Sequence, residues 1–228
     1  MNSERFLGFV ISEVDYNEYD KIVTLITDKG FVSVLLKGYY KAKSKFVSLF
    51  VLYNHLDLIL IKMGNDFYRV KEASIIKSYV GWYEYQYLKT GLMINEIIKN
   101  YIKSDLNLYK TYYEIISNIY IYDHNLLLCL FISDILKMNG LSPFVDGDVV
   151  TKGFKVNYFS IKDGGFIYSL NNQHDLDYLK ILRRIFKGGL EYKDRFKNVI
   201  IDEVICKIVI DYFIFHTTIK LYSNEINL

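Results

Sequence analysis

The hydrophobic period changes once along this 228-residue chain, and that change limits the fold more than any other feature. Up to Ser78 the apolar residues come in short runs with a period near two. Beyond Ser78 they recur near 3.6. A period of two puts successive side chains on opposite faces of a strand, and 3.6 puts them on one face of a helix. The pattern therefore predicts an α+β chain, with strands in residues 1–78 and helices in 79–228. With a single proline and no glycine-rich linker at the boundary, the two parts are expected to pack firmly.

Five runs in the first part read as strands: Leu7 to Ser12, Ile22 to Thr27, Phe31 to Leu36, His55 to Lys62 and Phe67 to Lys77. Asp28-Lys29-Gly30 and Gly64-Asn65-Asp66 supply turn chemistry between them. Five short strands predict a small barrel. The oligonucleotide-binding (OB) type is the commonest, and an SH3-like barrel is the alternative by strand count. In the second part the spacing predicts helices over Trp82 to Lys103, Leu108 to Tyr122, Leu126 to Met138, Asp175 to Phe186 and Asn198 to Ser223. Leu126 to Met138 is apolar nearly all round, as a central helix must be. Asn139-Gly140 with Pro143 beyond it is a stop signal. Asp146 to Asn172, with its Gly164-Gly165 pair, reads as an irregular lobe.

Composition excludes some classes. Hydrophobic residues make up 51% of the chain, too many for a disordered protein. A net charge of +2 rules out a general polycation, so a positive field must come from local clustering. The 22 tyrosines accompany abundant Lys, Asn and Ile, as an AT-rich coding bias gives; ring number alone is no sign of base stacking. Cys129 and Cys206 lie in apolar helical runs without Cys-x-x-Cys partners and read as buried free thiols in a reducing compartment. Ser3-Glu4-Arg5 does not open a signal peptide. Val204 to Ile219 is interrupted by Lys207, Asp211 and His216 and is too short to span a bilayer. A soluble cytoplasmic protein is expected.

The sharpest local signal runs from Lys37 to Lys45, where Lys37, Lys41, Lys43 and Lys45 are interleaved with Tyr39 and Tyr40 and no acid intervenes. Cations with aromatic faces suit a phosphate backbone with exposed bases. Arg5, Arg69 and Lys71 would extend such a patch. Tyr39 and Tyr40 would either stack on bases or fill the end of the barrel. Glu13, Asp15, Glu18 and Asp20 cluster in the first strand connection, where a solvated loop, a cation site and a partner-docking surface are all open readings. His55, His124, His174 and His216 form no metal-ligand pair. The chain has no Gly-x-Ser-x-Gly and no phosphate loop, so no catalytic constellation is expected.

Gly8-Phe9-Val10-Ile11, Tyr16-Asn17-Glu18-Tyr19-Asp20, Thr27, Gly30, Lys37-Gly38, Lys43-Ser44, Gly140-Leu141-Ser142-Pro143, Gly164-Gly165 and Lys220-Leu221-Tyr222-Ser223 follow one another along the chain. As an ordered set they resemble the RecO family of bacterial recombination mediators. The resemblance implies an N-terminal OB domain (1–78) and a helical domain (79–228). It implies a non-enzymatic protein that binds single- and double-stranded DNA and anneals complementary strands. With RecR it would load RecA on DNA covered by single-strand-binding protein. It also implies a basic rim for the acidic tail of that protein, with Arg183, Arg184 and Lys187 as candidates. Many RecO-like chains carry a zinc site of two Cys-x-x-Cys pairs. Here those positions fall near Asp148 and Thr151, and near Tyr168 and Asn171, so no zinc is expected. Apolar packing through Phe154, Tyr158, Phe159, Phe166 and Ile167 is expected to hold the lobe instead. The alternatives are a barrel-and-helix adaptor that binds only protein and, last, an undetected hydrolase.

Overall fold

A computed structural model describes residues 3–64, 67–79, 85–100 and 106–222. Five strands come first: β1 (Ser3–Asp15), β2 (Lys21–Thr27), β3 (Gly30–Leu36), β4 (Asn54–Met63) and β5 (Phe67–Ser78). Each contains the run expected from the sequence, and β1 extends it at both ends. Asn65 and Asp66 of the expected turn before β5 lie outside the described residues. β1 pairs with β2, β2 with β3, β3 with β5, β5 with β4, and β4 back with β1, so the sheet closes on itself. All these pairings are antiparallel except β3 with β5. Alternate residues point inward and make the core: Val23 and Leu25, Val32, Val34 and Leu36, then Leu56, Leu58 and Leu60. The short helix α1 (Phe46–Leu49) lies in the β3–β4 connection and packs Phe46 and Leu49 against that core.

Two local devices shape the barrel. A Cβ on Gly8 would lie 2.8 Å from Cγ2 of Thr27 and 2.9 Å from the Ile26 carbonyl, so only glycine lets β1 cross β2 this closely. On β5 the register skips a residue between Val70 and Glu72, which makes Lys71 a bulge. Bulges bend a strand and re-aim a side chain.

The outer faces of β1 and β4 are covered by α3 (Leu106–Asn118). Phe9 is fully buried there, stacked on His55 at 4.4 Å and edge-on to Tyr112 at 5.2 Å. His55 Nε2 lies 3.0 Å from the Tyr109 hydroxyl, and burial lowers the His55 pKa. The sign follows from linkage: below the ordinary histidine pKa the unfolded chain takes up a proton that the folded imidazole resists, so stability falls with pH. Thermal melts of the parent should therefore drop between about pH 7 and 5, and His55→Gln should flatten that drop. An unchanged pH slope in the variant would remove His55 from this account.

The chain forms two compact units. The first joins the strands to α3, and the second joins α2 (Tyr85–Asn100) to everything from Asn118 onward. The sequence division at Ser78 separates strands from helices, whereas the units interleave along the chain. In the second unit α4 (His124–Met138) is the central element, with ten buried residues, as its uniformly apolar pattern foretold. It lies against α2, α5 (Leu176–Gly188), the 3-10 turns Gly189–Phe196 and α6 (Glu203–Thr217). Asp123, Asp175 and Asp202 cap α4, α5 and α6 by accepting from backbone N–H groups at 2.9, 2.7 and 2.6 Å. The last helix is therefore shorter than expected: it starts after the Asp202 cap and ends at Thr218 in the left-handed region. The second expected helix likewise ends at Asn118, short of Tyr122. Trp82, Lys103 and Ser223, named as helix ends, lie outside the described residues. The lobe expected to be irregular contains a small hairpin, β6 (Tyr158–Ser160) with β7 (Gly165–Ile167). Cys129 and Cys206 are both buried and free. Among the described residues, no helix is long and apolar enough to cross a membrane.

Candidate nucleic-acid interface

The lysine-bearing connection between β3 and β4 is an ordered element. Gly38 takes a positive φ of 69°, and its N–H donates to Asp20 Oδ1 at 2.8 Å. The Tyr40 N–H donates to the Tyr19 carbonyl at 3.2 Å, and the Tyr40 hydroxyl donates to Asp15 at 2.5 Å. The Ser44 N–H closes a turn on the Lys41 carbonyl at 2.9 Å. The β1–β2 and β3–β4 connections are thus tied into one surface. Lys21 sits beneath it, 4.5 Å from the Tyr39 ring centre and 5.3 Å from that of Tyr40, and pairs with Glu13 at 3.2 Å. Burial works against the Lys21 charge, but Tyr40 and Glu13 outweigh it and its pKa is raised.

Tyr39 is buried with the barrel core, which corrects its reading as a base-stacking residue and leaves its role at the barrel end. Tyr40 is about half exposed. Lys37, Lys41, Lys43 and Lys45 are all exposed, and with Asp20, Ser44 and Phe46 they line one open cleft of about 590 Å³. None of the four forms an ion pair within 4.0 Å among the described residues. Lys45 also borders a second groove, lined by Arg5, Asp57, Ile59, Lys71, Glu72, Ala73 and Ser74. Lys71, the bulge residue, thus shares this groove with Lys45 of the loop, alongside the acids Asp57 and Glu72. Arg5 contributes less than the sequence suggests, because it makes a two-pronged pair with Asp57 at 2.8 and 2.6 Å. Arg69 is exposed on β5 but lines neither groove.

The acid cluster is largely engaged within the fold. Glu13 and Asp15 face Lys21, Asp15 holds Tyr40, and Asp20 holds Gly38, while Glu18 stays on the exposed turn. Among the described residues no group of three His, Cys, Asp or Glu is placed to hold a metal ion. In the second unit, Arg183, Arg184 and Lys187 do share a cleft, together with Lys180, Arg195, Tyr192 and Phe196. Lys180, on α5, and Arg195 were not among the sequence candidates; the 3-10 turns that deliver Arg195 have no periodic signature. Arg183 and Lys187 both pair with Asp146, and the Arg195 guanidinium lies 4.2 Å over the Tyr192 ring. The histidines are engaged structurally: His216 with the Ile161 carbonyl at 2.8 Å, and His174 stacked on Tyr158.

The lobe contains an interaction that the sequence reading missed. Asp148 is buried, and one carboxylate oxygen accepts from the N–H groups of Val150 and Thr151 at 2.8 and 2.7 Å. Its other oxygen accepts from the Tyr168 N–H at 2.6 Å. These are the two segments where the resemblance places zinc ligands. A carboxylate turned wholly to backbone donors, with a threonine, a tyrosine and an asparagine, does not match a structural zinc site. Instead the carboxylate ties the two segments directly, and the N–H groups of Thr151 and then Tyr168 hold its pKa below the usual carboxylate value. Phe159 and Phe166 pack inside as expected, but Phe154 is 92% exposed and takes no part in holding the lobe.

Residues 1–79 match the family model of the recombination protein O N terminus. The chain is 36% identical over 80 residues to the DNA repair protein RecO of Acetivibrio thermocellus, covering 35% of this chain and 32% of that protein. It is 42% identical over 71 residues to that of Chlorobaculum parvum, covering 30% and 27%. These two alignments span less than a third of each relative's length. A longer alignment, 28% identical over 179 residues, covers 74% of this chain and 72% of the DNA repair protein RecO of Clostridium perfringens.

Proposed function

We propose that this chain is a RecO-like, non-enzymatic DNA-binding mediator of recombinational repair, a reading supported by the match of residues 1–79 to the recombination protein O N-terminal model and by the 28% identity to a DNA repair protein RecO over 74% of the chain. It binds single- and double-stranded DNA along the lysine cleft and anneals complementary strands. With RecR it helps to load RecA on DNA covered by single-strand-binding protein. The barrel is an OB fold, as its strand order and single parallel pairing suggest. The cleft of Arg183, Arg184 and Lys187 receives the acidic tail of single-strand-binding protein. The lobe works without zinc, and the protein acts in the cytoplasm at the nucleoid.

The observation that carries this reading is the convergence of four exposed lysines on one cleft, in a loop braced by Asp20 and Tyr19. Annealing requires two polyanions to approach. A cationic surface that contacts backbone rather than base edges lowers their repulsion without selecting sequence. The protein-only adaptor reading would use Glu13, Asp15, Glu18 and Asp20 as a docking loop, but Glu13, Asp15 and Asp20 already have partners in the fold, which leaves Glu18 alone to dock.

Fluorescence anisotropy with a single-stranded oligonucleotide across a salt series tests the reading. Four lysine–phosphate contacts give a slope of log affinity against log salt of about −3. An annealing assay at low salt should show acceleration by the protein. No binding at about 50 mM salt, where such contacts are strong, would leave the adaptor reading in place.

A further inference from the structure

Three exposed tyrosines stand beside the lysine cleft, and two of them belong to the β1–β2 connection rather than to the lysine loop. Tyr16 is 53% exposed, Tyr19 49% and Tyr40 48%. The Tyr16 N–H closes the 16–20 turn on the Asp20 carbonyl at 3.0 Å, and the Tyr19 carbonyl accepts the Tyr40 N–H. Asp20, in the same turn, holds Gly38 at the edge of the cleft. Backbone bonds thus tie all three residues into one braced surface, in the same pair of connections as Lys37 and Lys41.

We propose that Tyr16, Tyr19 and Tyr40 form a stacking platform for the unpaired bases of a single strand whose phosphates lie along the lysines. This inference rests on the reading of the cleft as a DNA site and adds what that reading lacks, a reason to prefer single strands. Lysines alone hold any polyanion. A rigid ring beside the phosphate track adds contact only where a base is free to leave its stack, and it accepts every base because each has a π-face. The chain is rich in tyrosine everywhere, so the weight lies in placement. Tyr39, sequence neighbour to Tyr40, is buried in the core, and Tyr53 and Tyr112 are buried too. These three instead face solvent next to the only loop in which four lysines follow without an acid. Tyr40 has a bracing duty as well, through its hydroxyl on Asp15, which makes Tyr16 and Tyr19 the cleaner positions to test.

The experiment compares three fluorescent probes of equal length with the full chain: a mixed-sequence single strand, the same strand made abasic, and a duplex. The parent should bind the single strand about tenfold or more tighter than the abasic strand. Tyr16→Ala with Tyr19→Ala should erase that margin and leave abasic and duplex binding as they were. Tyr16→Phe with Tyr19→Phe should keep the margin, because the ring and not the hydroxyl does the stacking. Equal parent affinity for the single and abasic strands overturns the platform and leaves the lysine reading standing. An equal loss on all three probes in the alanine pair also overturns it, since the tyrosines would then only shape the loop. A parent that binds none of the probes overturns the DNA reading itself.

Discussion

Alanine at Lys41, Lys43 and Lys45 together is expected to weaken single-stranded DNA binding roughly a hundredfold or more at low salt, and to flatten the salt slope by about 2. The two effects have one cause. Each lysine that neutralises a phosphate releases condensed counterions, so three lost contacts remove both affinity and salt dependence in proportion. The fold should survive the change, because all three side chains are exposed and none forms an ion pair among the described residues. Anisotropy across salt gives the slope, and a thermal melt controls for folding. Replacing Arg5 alone should do far less, since its guanidinium is held by Asp57. A triple variant with the parent's affinity and slope would move the DNA site away from this loop.

Asp148→Asn is the second large effect, and it acts on the lobe. The carboxylate serves three backbone N–H groups with two acceptor oxygens. An asparagine has one oxygen, and its NH₂ would face a backbone donor. Hydrogen exchange at the amides of Val150, Thr151 and Tyr168 should accelerate at least about tenfold in the variant. The pH dependence has a definite sign. The Asp148 pKa is held low, so its contribution is fully present above the ordinary carboxylate pKa and is lost as pH falls through the folded value. The parent lobe should therefore loosen only in strong acid, whereas the asparagine variant is loose at neutral pH. Indistinguishable exchange at the three amides in parent and variant would show that packing by Phe159 and Phe166 is sufficient.

The sequence was most legible where the cause is local. The turn before Gly30 is readable because Thr27 pairs with Gly30 and Asp28-Lys29 span the hairpin. The lysine cleft is readable because its members are close in sequence. Apolar identity was a poorer guide to burial: Phe154 and Ile200 look like core residues and are exposed. The excess length of the last expected helix has the same origin, since the apolar pattern runs past the Asp202 cap that starts it. What stayed hidden depends on distant pairings. The Asp148–Tyr168 bond joins residues twenty apart. The burial of Tyr39 depends on how the barrel closes. The pairing of α3 with the strands has no mark in its own helical pattern, which fixes a face but not a partner.

That last pairing bears on how the protein is made. When Tyr79 has left the ribosome, all five barrel strands exist and the inner core of the barrel can assemble. The rings of Tyr109, Tyr112 and Tyr113 that surround Phe9 and His55 do not yet exist. Until they are synthesised, the nascent barrel carries an uncovered aromatic face, and the whole of α2 must emerge first. A fragment ending at Tyr79 holds every strand of the barrel and would remain at that stage, with an adhesive outer wall where the 228-residue chain has a covered one.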